Sequence, residues 1–138
     1  MGQRNLVLIL ARDLADKLAT ATFLVDQDGK LVYFNERAAE ILGESFGEAG
    51  RMSMDEWSRA WTPTDRDGRE LPPEELPLVI AVRSKRPAHR VLLIRGRDGV
   101  SREIAITALP FFARKGELVG AAAVFWEHPP VLPEGVDE

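Results

Sequence analysis

The sequence predicts an α+β domain: a five-stranded antiparallel sheet with its helices on one face and an amphipathic helix flanking it at the N-terminus. Three observations carry that expectation. Between Thr22 and Gly43, two short β-rich runs are joined by an Asp-Gly turn and lead directly into a helical pattern. The elements along the chain follow the order helix, two strands, short helices, one longer helix, three strands. All three β-turns contain glycine, two of them as Asp-Gly, which favours antiparallel neighbours.

The first element covers roughly residues 4–19. Leu6, Leu10, Leu14 and Leu18 recur every four residues, Val7 and Ile9 widen the stripe, and Arg12, Asp13, Asp16 and Lys17 lie opposite. This is an amphipathic helix whose apolar face must dock on the sheet, on a second copy of itself, or on both. Phe23-Leu24-Val25 and Leu31-Val32-Tyr33-Phe34 then form a hairpin around Asp28-Gly29. Period two places Phe23, Val25, Val32 and Phe34 on one face, and Leu24, Leu31 and Tyr33 on the other. Asn35 opens a short helix carrying Ala38, Ala39, Ile41 and Leu42, and Gly43 stops it. Two turns of helix are not stable alone in water, so this one must lie against the hairpin.

Residues 44–51 read as a loop or one helical turn. Met54 begins a helix that sets Trp57 and Trp61 four apart on one face, a spacing that belongs to a core or lid. Pro63, Asp67-Gly68 and Pro72-Pro73 mark a turn-dense connector. A longer helix follows from Pro73, with Glu74 and Glu75 in its first turn and Leu78, Val79, Ala81 and Val82 beyond. Pro77 is placed to delay its regular start. Three strands close the domain over residues 89–95, 102–109 (ending at Pro110) and 118–126, turned at Asp98-Gly99 and Lys115-Gly116. The division is a flanking helix at 1–19, the domain at 20–127, and an extended or disordered tail at 128–138 rich in proline and acid.

Composition narrows the classes of function. With 138 residues the chain has the length of one domain, and 45% hydrophobic with 29% charged residues is globular. A net charge of −4 argues against a general nucleic-acid binder, and the Gly47-x-x-Gly50 spacing lacks the basic flanks of an RNA-clamping loop. There is no cysteine, hence no disulfide, thiol nucleophile or cysteine metal site. The apolar run from Leu6 is closed by Arg12-Asp13 before it reaches signal-peptide length, and no stretch approaches the roughly 20 apolar residues of a membrane span. Leu6 also occupies the place where a myristoylation motif wants Ser or Thr. These features point to a soluble cytoplasmic protein without a nucleic-acid or membrane partner.

Taken together, TFLVDQDG, FNERAAEILG, DGRELPPEELPL and the closing ALPFF and GELVGAAAVFWE segments resemble a PAS domain, a sensor module of bacterial signalling proteins, over about residues 20–127. The resemblance implies that Asn35 caps the first core helix and that the sheet curls around the helices to leave a small internal pocket. It makes the Phe34 face the inner one, so the implied pocket lining is Phe23, Val25, Val32, Phe34, Leu78 and Val82. Leu24, Leu31 and Tyr33 then form an apolar outer face that needs a cover, and the leucine-striped helix can supply it. Flavin photosensors of the family use a cysteine, and haem-binding members place a histidine on the long helix. This chain has neither: His89 follows Pro87 and His128 lies in the tail. No flavin, haem or metal is therefore expected, and the pocket suits a small apolar ligand or is filled by its own side chains.

Catalytic motifs are missing: the chain has no P-loop, no Gly-x-Ser-x-Gly elbow and no His-Glu-x-x-His. The paired carboxylates Glu74-Glu75 and Asp65/Asp67 have plain uses at a helix start and in a turn. The expectation is a non-enzymatic sensory domain that binds an apolar ligand or a signalling protein and transmits the change through its N-terminal helix. It would form a homodimer through Leu6, Leu10, Leu14, Leu18, Leu24 and Tyr33. The rival is a constitutive dimerisation or scaffolding module with a filled core. A small isomerase or hydratase with one buried carboxylate comes third.

Overall fold

The computed structural model describes residues 2–128. Helix α1 spans Gly2–Lys17, and strands β1 (Ala21–Asp26) and β2 (Leu31–Phe34) form the hairpin. Three short helices follow, α2 (Glu36–Leu42), α3 (Phe46–Ala49) and α4 (Met54–Ala60). The longer helix α5 runs over Pro77–Ser84, and β3 (Ala88–Arg95), β4 (Ser101–Phe112) and β5 (Leu118–Glu127) complete the sheet. The sheet order is β2-β1-β5-β4-β3, antiparallel throughout. Of the sequence-predicted tail, positions 129–138 lie outside the described residues.

Local chemistry sets the helix ends. Asn35 accepts a hydrogen bond from the Ala38 N–H, and Gly43 closes α2 with a φ of 76°, where a side chain would be strained. Helices α3 and α4 each start in a capping box, Ser45 with Glu48 and Ser53 with Glu56. The stretch predicted to be helical from Pro73 is one 3-10 turn, Pro73–Glu75; regular helix waits until Pro77, whose missing N–H suits a first-turn position.

Two strand expectations change. Strand β4 continues through Pro110 to Phe112. Its last β3 partner is Ala108, so the ladder on that side asks nothing of the proline nitrogen. In the hairpin, Phe23 pairs with Phe34 and Leu24 with Tyr33, but Val25 pairs with Leu31, leaving Val32 as a bulge. The extra residue breaks period two. Leu31 enters the inner core beside Phe23, Val25 and Phe34, and Val32 turns outward with Tyr33.

The main core lies between the inner sheet face and helices α2, α4 and α5. Helix α1 lies on the opposite face, over β1 and β5. No helix among the described residues is long and apolar enough to cross a membrane.

Candidate functional site

A cavity of about 90 Å³ sits between the inner sheet face and the helices. Phe23, Leu92, Ile94, Ile104, Ile106, Ala123 and Phe125 of the sheet form its floor. Leu42, Trp57, Ser58, Trp61, Pro63 and the Leu76-Pro77-Leu78 segment form its roof. The lining holds no acid, base or histidine. Its three polar side-chain groups are already committed to protein partners. The Trp57 indole donates to the Gly29 carbonyl at 2.7 Å, the Trp61 indole to Glu44 Oε2 at 3.1 Å, and the Ser58 hydroxyl to the Asp55 carbonyl at 3.2 Å. The cavity therefore offers shape and dispersion rather than hydrogen bonds.

An aromatic cluster continues the cavity wall towards the hairpin edge. Phe23 stacks on Phe34 with centroids 5.7 Å apart and meets Trp57 and Trp61 edge-on at 5.6 and 5.9 Å. Such offset and edge-to-face pairs follow the ring quadrupole.

On the outer face, polar contacts fix α1. The Asn35 side-chain amide donates to the Ala15 and Thr20 carbonyls, both at 2.9 Å, while its oxygen accepts from the Thr22 and Ala38 N–H groups. One buried side chain thus ties α1, β1 and α2 together. The Tyr33 hydroxyl donates to Asp16, and the Arg12 guanidinium lies 4.4 Å over the Tyr33 ring. Burial, and then the hydrogen bond to Asp16, push the Tyr33 pKa up to about 12.

These ties decide which side of α1 meets the sheet. Ala15 is 1% exposed and packs with Leu24 and Ala122, with Ala11 alongside. The helix comes close enough that a Cβ built on Gly120 would meet the Leu8 side chain at 2.9 Å and the Val25 carbonyl at 2.5 Å. The leucine stripe turns away: Leu6, Ile9, Leu10 and Leu14 are 54%, 62%, 57% and 59% exposed. Leu109, Phe112 and Trp126 add exposed apolar surface on β4 and β5.

The family model described as PAS fold matches residues 15–128. The chain belongs to the PAS family. Its fold is similar to the PAS domain of BvgS from Bordetella pertussis, at 14% identity and a TM-score of 0.61, over 90% of this chain and 87% of that one. The PAS domain of the fruit-fly ELK potassium channel gives 11% identity and a TM-score of 0.68, covering 87% and 95%. That of nitrogen regulation protein NR(II) from Vibrio parahaemolyticus gives 14% and 0.59, covering 86% and 98%. No curated protein matches the chain. The PAS fold is one typical of sensory and signalling domains.

Within this PAS domain the sequence-predicted pocket residues divide. Phe23 and Leu78 line the cavity. Val25, Phe34 and Val82 are buried in the same core but outside the lining, Phe34 because its ring is stacked on Phe23. Val32 belongs to the other face, moved there by the bulge. The residues predicted for the dimer divide too. Leu6, Leu10, Leu14 and Leu18 are exposed, whereas Leu24 is buried under its own α1 and Tyr33 is engaged by Arg12 and Asp16 of its own chain.

Sequence reasoning missed the part of the floor built from β3, β4 and β5. Its alternation was available in Leu92/Ile94, Ile104/Ile106 and Ala123/Phe125. The acids have structural partners. Asp65 is held below the usual carboxylate range first by the Arg69 backbone N–H, and Glu75 first by hydrogen bonding from the Arg69 side chain. His89 is exposed and meets Thr107 at 2.9 Å. Among the described residues, no group of three or more His, Asp or Glu is placed to hold a metal ion.

Proposed function

We propose that this PAS domain is a cytoplasmic signalling sensor, a binding module rather than a catalyst, that takes a small apolar molecule into the cavity and passes the change through α1. The supporting observation is the cavity lining, which is apolar and whose polar groups are all spent on protein partners. At about 90 Å³ the cavity is smaller than a drug-sized pocket of roughly 300–1,000 Å³. A dry cavity of about 150 Å³ holds benzene, so the ligand would be a few heavy atoms, or one ring with modest side-chain movement.

Titration with benzene or toluene, followed by the fluorescence of Trp57 and Trp61 and by native mass spectrometry, tests this reading. Saturable binding of one molecule per chain is expected. No binding of either compound, with the cavity methyl resonances unmoved, overturns it.

The exposed leucine stripe favours a second component of the same proposal. Two α1 helices related by a two-fold axis would bury Leu6, Leu10 and Leu14 in an isologous homodimer contact. If the protein dimerises yet refuses every apolar probe, it is a constitutive dimerisation module. A signalling protein docking on the same stripe would instead leave it monomeric alone.

A further inference from the structure

We propose that Phe46, wrapped around the β2 edge of the sheet, is the positioning residue that couples the packing of the cavity to helix α1. The inference rests on the sensor reading above and concerns the route by which that site would be heard.

Strand β2 is an edge strand, and its consecutive residues Tyr33 and Phe34 point to opposite faces. Phe46, the first residue of α3, touches both. Its ring meets Phe34 edge-on at 5.6 Å and Tyr33 edge-on at 5.5 Å. On the inner side Phe34 is packed against two cavity-lining rings, Phe23 at 5.7 Å and Trp61 at 6.4 Å. On the outer side Tyr33 holds α1 through Arg12 and Asp16. The rings therefore form an unbroken run from the cavity wall, around the sheet edge, to the flanking helix.

A close-packed interior has low compressibility and passes displacement from side chain to side chain. A molecule that moves Phe23 or Trp61 would press on Phe34, and Phe46 would carry that displacement to Tyr33 without deforming the sheet. The capping box of Ser45 and Glu48 holds α3 and keeps Phe46 in place. A competing route exists along β1, whose start is bonded to Asn35 and through it to Ala15.

The experiment fills the cavity and watches α1. Benzene is one probe. The substitution Ala123→Leu, which pushes a side chain into the cavity from β5, is a second that needs no ligand. Leu78→Ala, which enlarges the cavity, replaces it if Ala123→Leu does not fold. Amide shifts of residues 11–17 report on α1, and methyl shifts of Ile104 and Leu92 report on the cavity.

Each perturbation is made in the wild type, in Phe46→Leu and in Phe46→Tyr. The expected result is a response of α1 in the wild type and in Phe46→Tyr that is lost in Phe46→Leu, while the cavity methyls respond in all three. An α1 response that survives Phe46→Leu overturns the proposal in favour of the β1 route. A cavity that responds while α1 stays still in the wild type overturns it as well. Failure of benzene to enter removes the ligand reading alone, since the Ala123→Leu and Leu78→Ala arms still decide the coupling.

Discussion

The inner face of the sheet meets its helices through interlocked aromatic rings, and the outer face meets α1 through alanines and a glycine around one buried leucine, with Tyr33 beside them. Phe23, Phe34, Trp57 and Trp61 interlock inside, whereas Ala11, Ala15, Ala122 and Gly120 pack around Leu24 outside. The inner packing gains its stability from buried apolar area. The outer docking buries less and is oriented by polar ties, the Asn35 amide above all. An amphipathic stripe alone therefore does not say which side of a helix faces inward. Here the alanine side docks, and the leucine side is left for something else.

The inner face should respond most to truncation. Phe34→Ala should cost about 3–5 kcal/mol in denaturant unfolding, the loss for truncating a buried phenylalanine. Tyr33→Ala on the other face should cost less and should loosen α1. Equal costs would mean that the two faces are not distinct in kind.

Asn35 tests the polar ties. Its loss removes a helix cap and leaves the Thr22 N–H and the Ala15 and Thr20 carbonyls without that partner. Asn35→Ala should therefore destabilise by about 2–4 kcal/mol, above the usual cost of a cap alone. A loss below about 1 kcal/mol, within the range of a plain cap, would show that the amide does not orient α1.

Gly120→Ala sharpens the outer contact. The added methyl meets the Val25 carbonyl and the Leu8 side chain, and overpacking of this kind costs about 1–3 kcal/mol. Hydrogen exchange should show protection lost in the β1–β5 ladder beside Val25 as well as in α1, because the tighter contact is with a β1 backbone oxygen. Unchanged protection in both would contradict close packing at this point.

Tyr33 is the single tyrosine of the chain, so its ultraviolet titration is assigned without ambiguity. Its folded pKa of about 12 lies above the ordinary 10.0, meaning that the folded state holds the phenol proton more tightly. Its contribution to stability is complete below the unfolded value and is lost as pH rises through the folded one. Helix α1 should loosen over that window, and a tyrosinate signal at the ordinary pKa would show that Tyr33 does not bond Asp16 in solution.

The smallest effect on stability belongs to the exposed stripe. Leu10→Glu with Leu14→Glu should leave the stability of the monomer itself within about 0.5 kcal/mol per site, as expected of surface positions, any further loss being that of the dimer contact. Sedimentation should nonetheless show the proposed dimer converted to monomer. A large loss of stability in the monomer would mean that these leucines pack within their own chain.

Much of the fold was legible in stretches a few residues long. Asn35 and Gly43 bound α2 because a cap and a left-handed stop depend on the nearest turn of backbone. The hairpins, their glycine turns and the order of elements follow from patterns a few residues long, and so does the family resemblance. Tertiary structure decided what depends on residues far apart. The bulge at Val32 exchanges the faces of Leu31 and Val32, although their side chains read the same in sequence. The cavity takes shape only when β3, β4 and β5 are laid beside β1 and roofed by Trp57 and Trp61. The rotation of α1 is set by Asn35 reaching a carbonyl 20 residues away and by Tyr33 holding Asp16. A helix with apolar residues on two sides has no local means of choosing between them. The choice falls to the side that lets the buried amide keep all its hydrogen bonds.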